Sequence, residues 1–381
     1  MGLFLEHEKL NWRNVSAKAC YNGQMIARIC LVCIAMLSMA EGQPAASTPP
    51  AANQAPRAAA SPAAGAADGP GAPRDHNADR LMKALTNQKW YQQLGDIAVV
   101  SEIRYTSAPL HKPQNPTAPG AKNPLIIHAM TFVPKKIDKA RKHPLIVFAH
   151  QGIHSDFGAD YEFSAVRELV EQGYSVIGPD YRGSTGYGRR LYDAIDYGGL
   201  EVEDVFQARQ WMLDNYDFLD PKRVGMIGWS HGGMITLMNI LLHPDAYAAA
   251  YAGVPVTDLV LRLGYHDSAY QSIFSAPQHI GKPVQGDIQE YLKRSPITHA
   301  EKLKTPLLIH GNSNDEDVNI IEVQRFVDAL KAAGKKFEYK IFEDAPGGHE
   351  FGRLDTKLAK ESRRDVYKFL GKILNPERPV R

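Results

Sequence analysis

Apolar strand-like runs alternate with amphipathic helical segments from residue 144 to the end of the chain. The run PLIVFA at residues 144–149 is apolar throughout, as expected for a strand that is buried on both faces of a sheet. The later strand-like runs are YSVIGPD, RVGMIG, YAAAYAG, PLLIHG and FEYKIF. Such alternation predicts an α/β fold, with a mainly parallel central sheet and helices on both faces. Ligands bind beyond the carboxyl ends of the strands in sheets of this class, so we expect functional residues in the loops that follow them.

The N-terminal part of the chain differs in composition from this region. Residues 25–40 combine Arg28, about a dozen apolar residues and a small-x-small end, which is typical of an export signal and too short for a transmembrane helix. Residues 41–76 are mostly Ala, Pro, Gly and Ser, and such a tract cannot bury enough apolar surface to fold. We predict a signal peptide in residues 1–40, a disordered linker in residues 41–76 and one folded domain in residues 77–381. The expected location is periplasmic or secreted, with no stable membrane anchor after cleavage and no indication of oligomeric state.

Charge and cysteine content argue against several classes of function. The 44 basic and 42 acidic residues nearly balance, which gives no indication of a nucleic-acid partner. The three cysteines, Cys20, Cys30 and Cys33, all precede the predicted domain, so that domain has no disulfide, cysteine metal site or cysteine nucleophile. No HExxH motif occurs, and NSNDED lacks the Gly and the distal Glu of a calcium loop. We therefore expect neither a metal nor a cofactor.

The segment GWSHGG places a serine between an apolar strand and an apolar helix. Its first five residues match G-x-S-x-G, in which a sharp strand-to-helix turn lifts the serine hydroxyl clear of the sheet. The glycines permit close approach of strand and helix, and the helix directs free N–H groups at the site. We predict an α/β-hydrolase fold with Ser230 as the nucleophile. The alternative is a glycine-rich turn with a serine that has no chemical role.

A serine hydroxyl needs an adjacent base and a group that orients the base. On this fold the acid and then the histidine follow the serine in chain order. His349 follows the strand-like run FEYKIF in a loop that contains two glycines, and we predict that it is the base. His310 at a strand end is expected to be structural, and His243 lies late in the helix after the serine.

The acid is expected after PLLIHG, the strand between nucleophile and base. Three consecutive acids, Asp315, Glu316 and Asp317, lie in this loop (residues 313–319, called the acid loop below). Like charges repel, so their clustering there calls for a role. A metal loop and a merely solvated turn are the alternatives to a catalytic acid.

Several longer motifs resemble the prolyl oligopeptidase family of serine hydrolases, most closely its acylaminoacyl-peptidase-like branch. They span about residues 125–375 and comprise HQGIHS, PDYRGSTGYG, GWSHGG, SPITHAEKLKTPLLIHG and GGHEF. The family's acid loop reads HG-x-x-D-x-x-V, so Val318 indicates Asp315 as the acid and Asp317 as the weaker candidate. Glu316 and Asp317 are then expected to be the solvated remainder of the turn. The acid loop is one residue longer here at its start than in the family.

The resemblance also implies an oxyanion hole formed by the backbone N–H groups of His231 and Gly152. Three positions depart from the family motifs: Asp180 replaces Asn, and Gln151 and Ile153 replace Gly and Pro in the loop around Gly152.

The resemblance implies a hydrolase that acts through an acyl-enzyme on a peptide or on a small ester or amide. A serine peptidase is the expected activity, and a carboxylesterase with the same triad and an inactive binding protein are the alternatives. Full-length family members carry a β-propeller before the hydrolase domain, and about 50 residues between the Ala/Pro tract and the first similar strand are too few for one. Arg182 is expected to form a structural salt bridge. Residues 253–294 are expected to contribute to the substrate pocket.

Overall fold

A computed structural model describes residues 74–158, 160, 162–277 and 279–380 of the chain. The predicted signal peptide and the predicted linker up to residue 73 lie outside the described residues, and both remain predictions. All described residues belong to one compact unit of the chain. None of the described helices is long and apolar enough to cross a membrane.

The described strands form one sheet. They are β1 (Ala98–Ser107), β2 (Leu125–Pro134), β3 (His143–Ala149), β4 (Ser175–Asp180), β5 (Leu219–Trp229), β6 (Ala249–Gly253), β7 (Leu307–Asn312) and β8 (Glu338–Phe342). Their order across the sheet is β1-β2-β4-β3-β5-β6-β7-β8. All neighbours from β4 to β8 pair in parallel, whereas β2 pairs antiparallel with both β1 and β4. The predicted mainly parallel sheet is therefore confirmed.

Helices cover both faces of this sheet. They are α1 (His76–Leu94), α2 (Phe163–Gln172), α3 (Arg189–Tyr192), α4 (Leu200–Asn215), α5 (His231–Leu242), α6 (Leu259–Tyr265), α7 (Ser268–Ser275), α8 (Ile288–Lys293), α9 (Ile320–Ala332) and α10 (Lys357–Leu374). Short 3₁₀ helices span Val284–Gly286, Pro296–Lys302 and Gly348–Arg353. One apolar core includes buried residues of α4, α5 and α9, and a second includes residues of α1, α2 and α10. The α/β-hydrolase fold predicted from the sequence is confirmed by this two-sided arrangement.

The first helix begins before residue 77, where the folded domain was predicted to start. Asp75 caps α1 by accepting the backbone N–H groups of Asn77 and Ala78. Helix α1 therefore includes His76, which was placed in the predicted linker.

A buried lysine joins α1 to the loop after β3 and to the last residue of β4, at the carboxyl edge of the sheet. Lys83 Nζ lies 3.0 Å from Asp156 Oδ2 and 2.9 Å from Asp180 Oδ2, and it donates to the carbonyl oxygen of Phe157. Burial lowers the pKa of Lys83, but Asp180 and Asp156 raise it above its ordinary value, so the amine is charged. The carboxylate of Asp180, where the family motif has Asn, thus serves as the partner of this buried cation.

A second buried ion pair joins the loop after β4 to α4. Arg182 Nε and Nη2 each donate to a carboxylate oxygen of Asp204 at 2.8 Å, and both side chains are fully buried. The guanidinium also donates to the carbonyl oxygens of Ala108 and Pro109. The expected structural role of Arg182 is confirmed, because protein acceptors hold its charged group away from solvent.

We expect Arg182→Met to lower the free energy of unfolding by about 3–5 kcal/mol, because the substitution leaves the buried Asp204 carboxylate without its partner. The exposed pair of Arg189 and Asp193 offers a matched control, and Arg189→Met should cost less than about 1 kcal/mol. Urea unfolding followed by circular dichroism measures both values. Equal losses in the two variants would contradict the assignment.

Candidate active site

Ser230 occupies a strained turn between β5 and α5. Its backbone has φ 57° and ψ −123°, and residues other than glycine rarely adopt such a positive φ. The turn is held by the Ser230 N–H, which donates to the Gly253 carbonyl oxygen at 2.9 Å. Among the described residues, the hydrogen bonds of Ser230 run through its backbone only, which leaves its hydroxyl available for chemistry. This is the strand-to-helix turn that the G-x-S-x-G motif predicts.

The glycines on either side of the turn are required by close backbone contacts. A Cβ atom on Gly228 would lie 2.2 Å from the carbonyl oxygen of Gly232. A Cβ atom on Gly232 would lie 2.3 Å from the carbonyl oxygen of Ala149 and 2.5 Å from that of His150. The start of α5 therefore packs directly against the end of β3 and the loop that follows it.

The two predicted oxyanion donors lie on either side of this contact. His231 is the first residue of α5, so its N–H has no acceptor within the helix. Gly152 is buried with φ 70°, and its carbonyl oxygen accepts the Tyr181 hydroxyl at 2.7 Å. Within the described part of the chain the Gly152 N–H donates to no acceptor. Among the described residues neither of these N–H groups has an acceptor, as an oxyanion hole requires, and their catalytic role remains a prediction.

The structure brings His349 and Asp315 together. His349 Nδ1 lies 2.7 Å from Asp315 Oδ2 and 2.9 Å from Oδ1, and both side chains are almost fully buried. Asp315 Oδ1 also accepts the backbone N–H groups of Asp317 and Val318. Because Nδ1 faces a carboxylate, the neutral form of the ring carries its proton on Nδ1, which leaves the lone pair of Nε2 free.

Parallel strand order explains why Asp315 and His349 meet and why Ser230 lies at the same edge of the sheet. Ser230 follows β5, the acid loop follows β7, and His349 follows β8, so all three lie at the carboxyl edge of the sheet. Residues 343–353, which follow β8 and carry His349, are called the histidine loop below. This loop lies close to the turn at Ser230: a Cβ atom on Gly352 would lie 3.2 Å from Trp229 Nε1.

Glu316 is exposed, as expected, and Asp317 is partly exposed, but both acids also have specific partners that the expectation of a merely solvated turn did not include. Glu316 Oε2 accepts the backbone N–H of His349 at 3.0 Å. Asp317 Oδ1 pairs with Arg262 Nη2 at 2.7 Å, and Asp317 Oδ2 lies 3.6 Å from His349 Nε2. Attractive contacts with the histidine loop and with α6 therefore offset the mutual repulsion of the three acids.

Arg262 is the site residue that the sequence analysis missed. It is buried, and besides Asp317 it donates to Glu322 Oε1 at 3.2 Å and to the hydroxyls of Tyr265 and Tyr270. The sequence contained one indication of a role for Arg262, which is its position within residues 253–294, the segment expected to contribute to the substrate pocket. Tyr265 and Tyr270 of that segment therefore contact Arg262 through their hydroxyl groups.

The other two candidate histidines have structural roles. His310 is buried in β7 with Nδ1 3.0 Å from Ser362 Oγ, and burial lowers its pKa to about 3. His243 stacks on Phe206 with ring centroids 3.9 Å apart. The structural expectation for His310 is therefore confirmed.

Comparison with known proteins agrees with this geometry. A model of the prolyl oligopeptidase family matches residues 161–377. Dipeptidyl peptidase 8 of Mus musculus is 29% identical over 227 residues, which cover 57% of this chain and 24% of that protein. Acylamino-acid-releasing enzyme 1 of Oryza sativa subsp. japonica is 30% identical over 261 residues, covering 66% of this chain and 33% of that protein. The chain thus spans about a quarter to a third of the length of these curated relatives.

A solved structure is similar as well. The puromycin-hydrolyzing peptidase of Mycobacterium tuberculosis superimposes with a TM-score of 0.59 at 25% identity, over 72% of this chain and 40% of that one.

We expect Glu316→Ala to slow the reaction of Ser230 with a fluorophosphonate by up to about tenfold, because the variant loses a charged acceptor that holds the His349 backbone. The loss is limited because Glu316 is exposed. Glu316→Gln keeps a side-chain oxygen acceptor and should retain most of the rate. If the two variants react equally slowly, charge at this position matters and the hydrogen-bond explanation is incorrect.

Proposed function

Because the chain belongs to the prolyl oligopeptidase family of serine hydrolases, we propose that it is a serine peptidase that cleaves amide bonds through an acyl-enzyme. The observation that carries the proposal is the bond from His349 Nδ1 to the Asp315 carboxylate at 2.7 Å. This bond fixes the ring with Nε2 unprotonated, which is the form that a general base needs. The relatives named as peptidases support an amide substrate.

The proposed reaction has two halves. Ser230 Oγ attacks the substrate carbonyl carbon while His349 Nε2 takes the hydroxyl proton, and Asp315 stabilises the resulting imidazolium. The N–H groups of His231 and Gly152 hold the developing oxyanion. The histidine then gives the proton to the leaving amine as the C–N bond breaks, and the acyl group stays bonded to Ser230 Oγ. In the second half water, activated by the same histidine, hydrolyses the acyl-enzyme and restores Ser230.

We expect a fluorophosphonate probe to label the wild-type protein and not Ser230→Ala. Asp315→Asn should lower the labelling rate by about 10⁴-fold, because the histidine loses the group that sets its tautomer. Asp317→Asn is the matched control in the same loop and should change the rate at neutral pH by less than about tenfold. The reverse order of the two asparagine variants would assign the acid to Asp317, and absence of wild-type labelling would contradict the proposed function.

Substrate class is tested with matched acyl groups on two leaving groups. We expect turnover of aminoacyl p-nitroanilides as well as of the corresponding p-nitrophenyl esters, because a peptidase must protonate an amine leaving group. The measurement is kcat/KM for each pair, with Ser230→Ala as the background control. Turnover of esters alone would replace the peptidase proposal with a carboxylesterase.

A further inference from the structure

Asp317 borders the imidazole nitrogen that Asp315 leaves free. Its Oδ2 lies 3.6 Å from His349 Nε2, which is beyond hydrogen-bond distance and well within range of strong electrostatic interaction. The Asp317 side chain is 30% exposed, whereas that of Asp315 is 1% exposed. The histidine ring is therefore flanked by two carboxylates, one on each nitrogen.

Arg262 controls the position of the second carboxylate. Its Nη2 donates to Asp317 Oδ1 at 2.7 Å, and its Nη1 donates to the Asp317 carbonyl oxygen at 3.1 Å. Glu322 and the hydroxyls of Tyr265 and Tyr270 hold the guanidinium in turn. These contacts direct one carboxylate oxygen to the arginine and leave the other facing the histidine.

The charged or titratable groups around Asp317 and His349 come from several elements. They are Asp315 and Glu316 of the acid loop, Arg353 of the 3₁₀ helix that carries His349, Arg262 and Tyr265 of α6, His266 after α6, Tyr270 of α7, Tyr197 before α4 and Glu322 of α9. Burial raises the pKa of Asp317, but Arg262 and His349 lower it below its ordinary value, so the carboxylate is ionised at neutral pH.

Resting on the function proposed above, we propose that Asp317 is a second carboxylate partner of protonated His349. Arg262 is the positioning residue that limits how strongly Asp317 stabilises the imidazolium. When Nε2 takes the Ser230 proton, the imidazolium is stabilised by Asp315 at Nδ1 and by Asp317 beside Nε2. The same proton must then pass to the leaving group. By drawing Oδ1 away, Arg262 keeps Oδ2 from hydrogen bonding to Nε2 and retaining that proton.

The test measures the pH midpoint of His349 in two ways. The rate of Ser230 labelling by a fluorophosphonate rises with pH as His349 loses its proton. The Cε1–H NMR signal of His349, assigned by its absence in His349→Gln, reports the same midpoint without any reaction.

We expect Asp317→Asn to lower this midpoint and Arg262→Gln to raise it, each by about half a unit to one unit. In the double variant the midpoint should follow Asp317→Asn, because Arg262 acts through that carboxylate. Arg262→Lys retains the positive charge, so its midpoint should stay closer to that of the wild type. Asp328→Asn, which changes an exposed acid on α9, should leave the midpoint unchanged.

The outcomes separate this inference from the proposed function. An unchanged NMR midpoint in Asp317→Asn would overturn the inference even if Ser230 is labelled normally. A rise in the His349 midpoint that Arg262→Gln causes and that persists in the double variant would also overturn the inference. If Arg262→Gln does not fold, because Glu322 loses its buried partner, Asp317→Asn and Arg262→Lys decide the question. An unlabelled wild type with the expected NMR shifts would overturn the proposed function and leave the charge pairing supported.

Discussion

The orientation of the His349 ring is the constraint on which the proposed chemistry depends. One nitrogen must bind an acid so that the other can face Ser230, and the acid loop meets this need at three points. Asp315 binds Nδ1, Glu316 accepts the backbone N–H, and Asp317 lies beside Nε2. The charges of three adjacent acids would repel one another in isolation, but here the three side chains together bind His349 and its loop.

The rest of the carboxyl edge is stabilised in a similar way. Lys83 joins α1 to the loop after β3 and to Asp180 at the end of β4. Arg182 joins the loop after β4 to α4, and Arg262 joins α6 to the acid loop. Each cation is buried and paired with at least one acid. Apolar residues of similar volume could give equal stability at such positions, but they would not define the geometry of loops that have little regular structure of their own.

The sequence predicted those features that depend on local pattern and chain order. The sheet, the turn at Ser230 and the meeting of Asp315 with His349 follow from apolar runs, one short motif and parallel strand order. Arg262 and the contacts of Glu316 could not be predicted in this way, because their partners lie 55 and 33 residues away in sequence. The sequence led us to expect a merely solvated turn at Glu316 and Asp317, because it shows the repulsion among the three acids. It does not show the cations and N–H groups that other elements bring to them.

The two carboxylates flanking the ring have opposite geometric requirements. Asp315 must hydrogen bond to Nδ1, since only direct contact fixes the tautomer. Asp317 must stay out of contact with Nε2, since a hydrogen bond there would compete with Ser230 and the leaving group for the same proton. The acid loop alone cannot satisfy the second requirement, because it carries no cation. The electrostatics of the proposed base therefore depend on two elements, the acid loop after β7 and helix α6, which follows β6 and supplies Arg262.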